Sequence, residues 1–439
     1  MKNVTLHITD ITNEGNGVGK HDQLTYFVEN AILGEMLEAE VLEYKKNFAI
    51  ARKVKTIKES PFYENPKCIY ANICDGCDFQ NINYPAQVEY KKNKIINNLN
   101  RIAYENLEDI NFIEANQRYH YRNKIELKVD IYGSLSYFSR KTNDNVAIKE
   151  CIIANKKINQ VMATIQEQIN NYELTGYDAR KNKGLLKNIM IRSTSIGQTM
   201  VAIVIAREEN LTQFTLDLQS TGLIDSLYIS VNKKKNHYKL QKTTKVFGDD
   251  KILEQMGDKK FLISPKSFFQ VNTFMAYQIY LLAQNHIKNL KPSTIIDLYS
   301  GISTTSIILS EEADLIISVE LLEQAIEDAK ENAKLNNSNN IEWHAMPAEK
   351  AIDKINLNTQ NSITLFDPPR KGLDENIINK IGQSNINDLI YISCNPSTLA
   401  RDIKRLKEYG FILKDITGID MFVNTLHVET VVLMSRKDK

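Results

Sequence analysis

The chain has no long apolar run among its 439 residues. A membrane-spanning helix needs about 20 consecutive, mostly apolar residues, and no stretch approaches that length. The opening residues Met1-Lys-Asn-Val-Thr have no apolar signal core behind them. We therefore expect a cytoplasmic protein with no membrane partner, and a chain of this length predicts about two to four domains.

The chain also has no large excess of charge of either sign. Lysine and arginine number 55 against 54 aspartates and glutamates, a formal net charge of +1, so the total indicates no particular partner. Basic residues are concentrated locally between Arg140 and Lys260, for example in Lys233-Lys234-Lys235. Such asymmetry is typical of a surface for a polyanion, although a solvated face would look the same.

Cysteine is scarce, with five residues in the chain, which argues against a secreted disulfide framework. Cys68, Cys74 and Cys77 follow the pattern C-x5-C-x2-C, and Cys151 stands alone further on. Few apolar residues surround the first three, so a metal site would supply stability there. Structural zinc sites usually carry two C-x2-C pairs and this chain has one, so the spacing favours a four-iron cluster. Unliganded cysteines remain the alternative.

The hydrophobic pattern changes twice along the chain. Residues 1–57 contain short alternating strands separated by glycines, which predicts a small OB-like β-barrel. Residues 58–260 predict a mixed α+β domain that holds the cysteines, with an amphipathic helix over 84–110 that links two domains. The run Gly15-x-Gly17-x-Gly19 does not lie between a strand and a helix, so we do not expect a phosphate site there.

Residues 261–439 alternate strands with helices, which predicts a doubly wound, Rossmann-like α/β domain. We expect strands at 295–298, 315–319, 341–345, 363–366, 389–392 and 429–434. Polar residues close several of them, in Asp297-Leu-Tyr-Ser-Gly301, at Glu320, in Asp367-Pro-Pro-Arg370 and at Cys394. Because ligands bind at the carboxyl ends of such strands, these residues predict one cleft.

A carboxylate such as Glu320, at the end of the second strand, is placed to bind the hydroxyls of a ribose. A dinucleotide would also require a G-x-G-x-x-G loop, and the chain has only Gly301-Ile-Ser-Thr-Thr. The absence of this phosphate loop favours S-adenosylmethionine over a nicotinamide cofactor. The alternative for Glu320 is a carboxylate that stabilises the start of the next helix.

Cys394 follows a buried strand and precedes the polar Asn395-Pro396, so its thiol is expected at the edge of the sheet rather than in the core. A thiolate next to S-adenosylmethionine suits methylation of uracil C5: addition to C6 makes C5 nucleophilic. A base must then remove the C5 proton, and His427 and Glu429 are both candidates. Arg370 is expected to pair with a phosphate or with Asp367.

These residues resemble the RNA (uracil-5-)-methyltransferases. The resemblance rests on Phe269-Gln270-Val-Asn272, Asp297-Leu-Tyr-Ser-Gly301, Asp367-Pro-Pro-Arg370, Ser393-Cys394-Asn395-Pro396-x-Thr398 and Asp420-Met-Phe-x-x-Thr-x-His427-x-Glu429. The barrel and the cysteines resemble the branch with a TRAM domain and a 4Fe–4S cluster that acts on 23S ribosomal RNA.

The resemblance implies Cys394 as the nucleophile and Glu429 as the base. It implies that the cofactor contacts are Gln270, Tyr299, Thr304, Glu320 and Asp367, and that the cluster ligands are Cys68, Cys74, Cys77 and Cys151. It also implies that the helix over 84–110 packs on the catalytic domain, and we expect a monomer.

The sequence departs from the family pattern at four positions. Ser303 replaces a frequent second glycine, where its Cβ would crowd the cofactor or alter the loop. Pro347 stands where an adenine contact is common, Asp75 where glycine is common, and Val423 where proline is common.

Three alternatives remain open. One is the same reaction on transfer RNA, whose enzymes typically lack the barrel and the cluster. Another is an RNA-binding iron–sulfur scaffold without activity. The third, an amino-group methyltransferase, would place an aromatic residue after the two prolines, where this chain has Arg370.

Overall fold

Three large sheets and one hairpin organise the chain. The structure is a computed structural model that describes residues 3–139, 144–357 and 361–436. No helix within these ranges has both the length and the apolar character that crossing a membrane requires.

The N-terminal strands form a small closed barrel in the order β1-β2-β3-β5-β4. The strands are β1 Asn3–Ile11, β2 Gly17–His21, β3 Leu24–Glu29, β4 Met36–Tyr44 and β5 Phe48–Lys58. Alternate side chains such as Leu6 and Ile8 point into its core, because successive residues of a strand face opposite sides. A Cβ at Gly17 would lie 2.7 Å from the Cβ of Ala31. The predicted barrel is confirmed, and Gly17 permits its close packing.

A single helix connects the barrel to the C-terminal sheet. Helix α1 spans Tyr84–Asn98 and continues as a π-helical turn over Leu99–Ala103, so the helical segment ends before residue 110. It begins at Asn83, whose side chain accepts a hydrogen bond from the Ala86 N–H. Its apolar face lies in the same core as the C-terminal sheet. Strand β6, Asn111–Ile113, then forms one edge of that sheet.

The middle of the chain forms a seven-stranded sheet in the order β13-β12-β11-β10-β7-β8-β9. The strands are β7 Lys124–Val129, β8 Leu135–Phe138, β9 Asn145–Ala147, β10 Leu186–Ser193, β11 Thr199–Ile205, β12 Ser226–Val231 and β13 Thr243–Gly248. Helices α2, Lys156–Asn171, and α3, Thr212–Ser220, share one apolar core with this sheet. Met190 and Met200 belong to a second core shared with the C-terminal part. Strands β10 and β11 are buried throughout, because both of their faces are covered.

After a hairpin of β14, Ile252–Met256, and β15, Lys259–Ile263, the C-terminal part forms an eight-stranded sheet. Its order is β18-β17-β16-β19-β20-β22-β21-β6. The strands are β16 Thr294–Leu298, β17 Leu315–Glu320, β18 Ile341–Ala345, β19 Ser362–Phe366, β20 Asp388–Ser393, β21 Phe411–Ile419 and β22 Glu429–Arg436. Strands β16 to β20 run parallel, whereas β22 is antiparallel to both of its neighbours. The strand order reverses between β16 and β19, which is where doubly wound sheets bind their ligands.

Among the described residues, helices alternate with the strands of this part of the chain. They are α4 Thr273–Leu290, α5 Thr304–Ile308, α6 Glu323–Leu335, α7 Ala348–Ala351, α8 Glu375–Gln383 and α9 Pro396–Glu408, and α1 packs against α9 within the same apolar core. They complete the doubly wound α/β arrangement that the alternating pattern predicted.

Candidate active site

The carboxyl ends of four neighbouring parallel strands carry the polar residues of the candidate site. Tyr299 follows β16, Glu320 ends β17, Asp367 follows β19 and Cys394 follows β20. The strands pair in register, Leu298 with Phe366 for example, so these ends lie at one level. The parallel pairing therefore brings together residues that lie far apart in the sequence.

The loop after β16 is shaped by left-handed backbone conformations. Tyr299, Gly301 and Ser303 have φ angles of 69°, 57° and 56°. Glu320 fixes this loop, because its Oε2 accepts a hydrogen bond of 3.1 Å from the Gly301 N–H and its Oε1 accepts one of 2.9 Å from the Leu322 N–H. A Cβ on Gly301 would meet no atom within 4 Å, so the backbone here borders open space.

Ser303, the residue in place of a second glycine, is fully buried. Its Oγ lies 2.7 Å from the Oγ of Ser318 on β17, so the side chain is held against the sheet. Because it does not line the cavity of the site, Ser303 does not crowd the cofactor region in the way the sequence suggested.

Cys394 lies between the end of β20 and the start of α9. Asn395 caps this helix, with its side chain accepting a hydrogen bond from the Ser397 N–H. The Asn395 Nδ2 and the Thr398 Oγ1 both donate to the Arg370 carbonyl, at 3.1 and 3.2 Å. These contacts hold the Cys394 turn against the rigid turn that contains Pro368 and Pro369.

Glu429 faces the same turn from the neighbouring strand. Thr430 of β22 pairs with Ser393 of β20, so Glu429 and Cys394 are the next residues outward on the two strands. The Glu429 side chain is buried, with 5% of its surface exposed. Burial first, and then the Asp367 carboxyl, raise the pKa of Glu429 well above its ordinary value, while Arg370 opposes the rise.

One cavity of about 980 Å³ joins these elements. All seven residues predicted for catalysis and cofactor binding line it: Gln270, Tyr299, Thr304, Glu320, Asp367, Cys394 and Glu429. Asp75, Gly76 and Asp78 from the cysteine-containing loop line the same cavity.

Burial disfavours negative charge on three groups in or beside this cavity. It raises the pKa of Asp367 to about 7. It also raises the pKa of Asp297 to about 7, although the Ser306 hydroxyl donates to that carboxyl at 2.6 Å. For Cys394, burial followed by the Glu429 and Asp367 carboxyls raises the pKa to about 11. The thiol therefore requires a base when it acts as a nucleophile.

The four upstream cysteines line a second cavity of about 360 Å³. Burial is the main cause that raises the pKa values of Cys68, Cys77 and Cys151, and for Cys77 the three other thiols of this group add to the rise. Within the described ranges, no three His, Cys, Asp or Glu side chains are grouped as a site for one metal ion. The thiols thus surround a shared space. The structure does not show the iron–sulfur cluster itself, which stays a prediction.

Sequence profiles of known protein families match most of this chain. A sequence profile described as "tRNA (Uracil-5-)-methyltransferase" matches residues 83–437, and a TRAM domain profile matches residues 2–54. This chain belongs to the tRNA (uracil-5-)-methyltransferase family. It is therefore an S-adenosylmethionine-dependent RNA methyltransferase directed at uracil C5, as the motifs predicted.

Relatives of this family match over almost the whole chain. Proteins described as uncharacterized RNA methyltransferases are 33% identical in Clostridium acetobutylicum, over 99% of this chain and 97% of that protein, and 34% identical in Fusobacterium nucleatum, over 99% and 96%. Among solved structures, the Pyrococcus abyssi tRNA (uracil-54, C5)-methyltransferase in complex with S-adenosyl-L-homocysteine has a TM-score of 0.79 at 25% identity, covering 98% of this chain and 100% of that one.

Two residues of the family motifs contact each other. The Arg370 Nη2 lies 2.8 Å from each ring nitrogen of His427 and does not pair with Asp367, whereas a phosphate, the other partner suggested by the sequence, stays a prediction. Burial and then the Arg370 guanidinium lower the pKa of His427 to about 4. His427 is therefore a weak base, which favours Glu429 for the proton at C5.

Sequence reasoning missed the residues of α1 that hold the segment leading to Glu429. Lys91 and Asp420 form an ion pair of 2.6 Å in which both side chains have 0% exposure. The Gln87 side chain donates to Asn424 Oδ1 at 3.2 Å and accepts from the Asn424 N–H at 3.0 Å. One signal was available: Lys91 lies three residues after Val88 and four before Ile95, on the apolar face of the helix.

Proposed function

We propose that this chain methylates C5 of a uridine in 23S ribosomal RNA, with Cys394 as the nucleophile and Glu429 as the base. The observation that carries the proposal is their placement. Cys394 follows Ser393 of β20, Glu429 precedes the Thr430 of β22 that pairs with Ser393, and both line the same cavity as the five candidate cofactor residues. A uracil placed between them would present C6 to the thiol and C5 to the carboxylate.

The residues would act in the following order. The Cys394 thiol gives its proton to solvent in the open cavity, and the thiolate sulfur then bonds to C6 of the uracil. The electrons of the C5–C6 double bond shift toward C5 and the neighbouring carbonyl, which gives an enolate. S-adenosylmethionine supplies the methyl group that C5 attacks. Glu429 then takes the C5 proton, the C5–C6 double bond forms again and the C6–S bond breaks. Because its environment favours the protonated acid, the Glu429 carboxylate takes up a proton readily.

Five residues are proposed to hold S-adenosylmethionine: Gln270, Tyr299, Thr304, Glu320 and Asp367. The donor set fits the ligand, because Glu320 lies at the end of the second strand, where a carboxylate receives ribose hydroxyls. The turn at Gly301 leaves open space for a close approach of the cofactor to the backbone. Binding of S-adenosyl-L-homocysteine, measured by calorimetry with Glu320→Gln as the test variant, should weaken at least tenfold.

The choice between ribosomal and transfer RNA rests on different observations. The cysteine group supports 23S ribosomal RNA through the resemblance described above. The barrel, which is part of the same resemblance, does not discriminate between the two substrates, because the Pyrococcus abyssi tRNA (uracil-54, C5)-methyltransferase covers 98% of this chain. Transfer RNA is therefore the second candidate.

We also propose that Cys68, Cys74, Cys77 and Cys151 hold a 4Fe–4S cluster. All four thiols line one cavity, and burial makes the thiolate forms of Cys68, Cys77 and Cys151 unfavourable there without a cation. Four thiolates around a space, rather than around one point, suit a polynuclear cluster better than zinc. Anaerobically purified protein should contain about four irons and four acid-labile sulfides per chain. Cys68→Ser should lose them and fold poorly, whereas the control Cys394→Ser should keep them.

The decisive experiment uses mass mapping of RNA from cells with and without this protein. Loss of a methyl group at a uridine C5 in 23S ribosomal RNA supports the first candidate, and loss in transfer RNA supports the second. The mechanism is tested by incubating the enzyme with the mapped RNA segment carrying 5-fluorouridine. Wild type should form a covalent complex that survives denaturing electrophoresis. Cys394→Ser should form none, and no complex with wild type would contradict the mechanism.

A further inference from the structure

A smaller cavity of about 370 Å³ opens beside Cys394, on the side toward the barrel. It is lined by residues of the barrel, α1, the Arg370 turn and the start of α9. It shares Arg370, Cys394 and His427 with the main cavity. Anything bound here would therefore lie next to the proposed nucleophile, outside the cofactor region.

Two cations face this cavity without a carboxylate partner. In the part of the chain that the structure describes, no Asp or Glu oxygen lies within ion-pair distance of Lys94 or Arg370. Lys94 Nζ instead donates to the carbonyls of Asn13 and Leu426, at 3.0 and 3.1 Å. Arg370 contacts the His427 ring, which carries no charge at neutral pH.

The surrounding groups position both cations rather than neutralise them. The carbonyls of Asn13 and Leu426 fix Lys94 between the barrel and the segment that leads to Glu429. The Arg370 carbonyl is held by the turn that follows Cys394. Burial lowers the pKa of Lys94 to about 8, with Lys91 and Arg370 adding like charge and Glu14 and Asp78 opposing it. A bound anion would offset the free-energy cost of keeping the partly buried Lys94 ammonium group charged. Glu14, the acidic residue of this cavity, is exposed to solvent.

We propose that this cavity is a phosphate subsite, in which Lys94 and Arg370 bind a backbone phosphodiester of the RNA next to the target uridine. The inference rests on the proposed function, because the base held against Cys394 is joined through its ribose to phosphates on either side. An enzyme that extrudes a base from its stack must also hold the displaced backbone. Asn98, Asn395 and Ser397 line the same cavity and offer neutral hydrogen bonds.

The test measures the salt dependence of RNA binding with three variants of α1. Lys94→Met removes the proposed contact, and Lys94→Arg keeps the charge. Lys92→Met is the matched control on the same helix, because Lys92 already pairs with Asp109 at 2.6 Å. The probe is the RNA segment identified by mass mapping, and unchanged binding of S-adenosyl-L-homocysteine shows that each variant is folded.

For Lys94→Met we expect roughly tenfold weaker RNA binding at low salt. The slope of log K against log salt should fall by about 0.7, the value for one lost phosphate contact to a single strand. Lys94→Arg should restore most of the binding, and Lys92→Met should behave as wild type.

A second measurement identifies which phosphate is bound. RNA probes carry one uncharged methylphosphonate at successive positions around the target uridine. One position should weaken wild type and leave Lys94→Met unchanged. If wild type forms its 5-fluorouridine complex but Lys94→Met and Lys92→Met share one affinity and one salt slope, the phosphate subsite is wrong and the proposed function stands. If wild type forms no complex, the proposed function fails, and this inference with it.

Discussion

Two adjacent lysines on helix α1 should have very different effects on stability. Lys91 is fully buried, and its Nζ donates to Asp420 Oδ1 at 2.6 Å and to the Phe422 carbonyl at 3.0 Å. Lys92 pairs with Asp109, whose side chain is 73% exposed. Replacing either lysine by methionine removes one charge from the same helix and keeps a long, flexible side chain.

For Lys91→Met, the free energy of unfolding should fall by about 3–5 kcal/mol, because the Asp420 carboxylate stays buried without its partner. Lys92→Met should cost at most about 1 kcal/mol, since an exposed ion pair contributes little. The double variant Lys91→Met/Asp420→Leu should recover most of the loss, because an apolar pair of similar volume replaces both charges.

Urea unfolding followed by tryptophan fluorescence provides the assay. Trp343 is the one tryptophan of the chain and lies in β18 of the sheet on which α1 packs. Circular dichroism must give the same midpoint, as two-state analysis requires. Equal losses for Lys91→Met and Lys92→Met would refute the reasoning, and so would a double variant less stable than Lys91→Met.

Three further substitutions test the site. As the pH rises from 5 to 8, Asp297→Asn should become more stable relative to wild type by about 1 kcal/mol or more. The raised pKa of Asp297 stabilises the wild-type fold at low pH, and this contribution is lost as the pH rises through 7. Melting temperatures of the two proteins that change in parallel with pH would contradict this prediction. Ser303→Gly should change the free energy of unfolding by less than about 1 kcal/mol, because glycine relieves the strain of the left-handed backbone and so offsets the lost hydrogen bond to Ser318. Calorimetry should show an affinity for S-adenosyl-L-homocysteine within threefold of wild type. A larger change would show that the serine shapes the cofactor loop. Gln87→Leu should lower the free energy of unfolding in urea by about 2–4 kcal/mol and slow turnover, since it leaves buried polar groups of Asn424 unpaired. Unchanged turnover would show that the segment before β22 does not depend on this contact.

Local patterns were sufficient for most of the fold. The core strands of the C-terminal sheet are short apolar runs that end in polar turns, so six of them could be located directly. Strand β21 was missed because Lys414 and Asp415 interrupt its apolar pattern and Gly418 lies within it. Strand β6 has three residues, too few for a recognisable pattern, and it forms by pairing with the edge of β21.

The candidate site could be predicted to the level of residues but not of contacts. Cys394 and Glu429 were selected because their motifs are local in sequence, and the structure places both beside one cavity. Their alignment across β20 and β22 depends on an antiparallel pairing that no local pattern specifies. The same limit explains why the contact of Arg370 with His427 was not predicted, because His427 approaches it from a segment 57 residues away.

The longest-range contacts explain why the cysteine-containing loop belongs to the catalytic unit. The backbone N–H groups of Asp78 and Phe79 donate to the Asn424 carbonyl, and Asp78 Oδ2 accepts from the Leu426 N–H at 3.0 Å. Val423 packs in one apolar cluster with Cys77. The loop therefore supports the segment that leads to Glu429, although the two lie more than 300 residues apart in the sequence. We therefore expect a group bound by the four thiols to influence methyl transfer through this support.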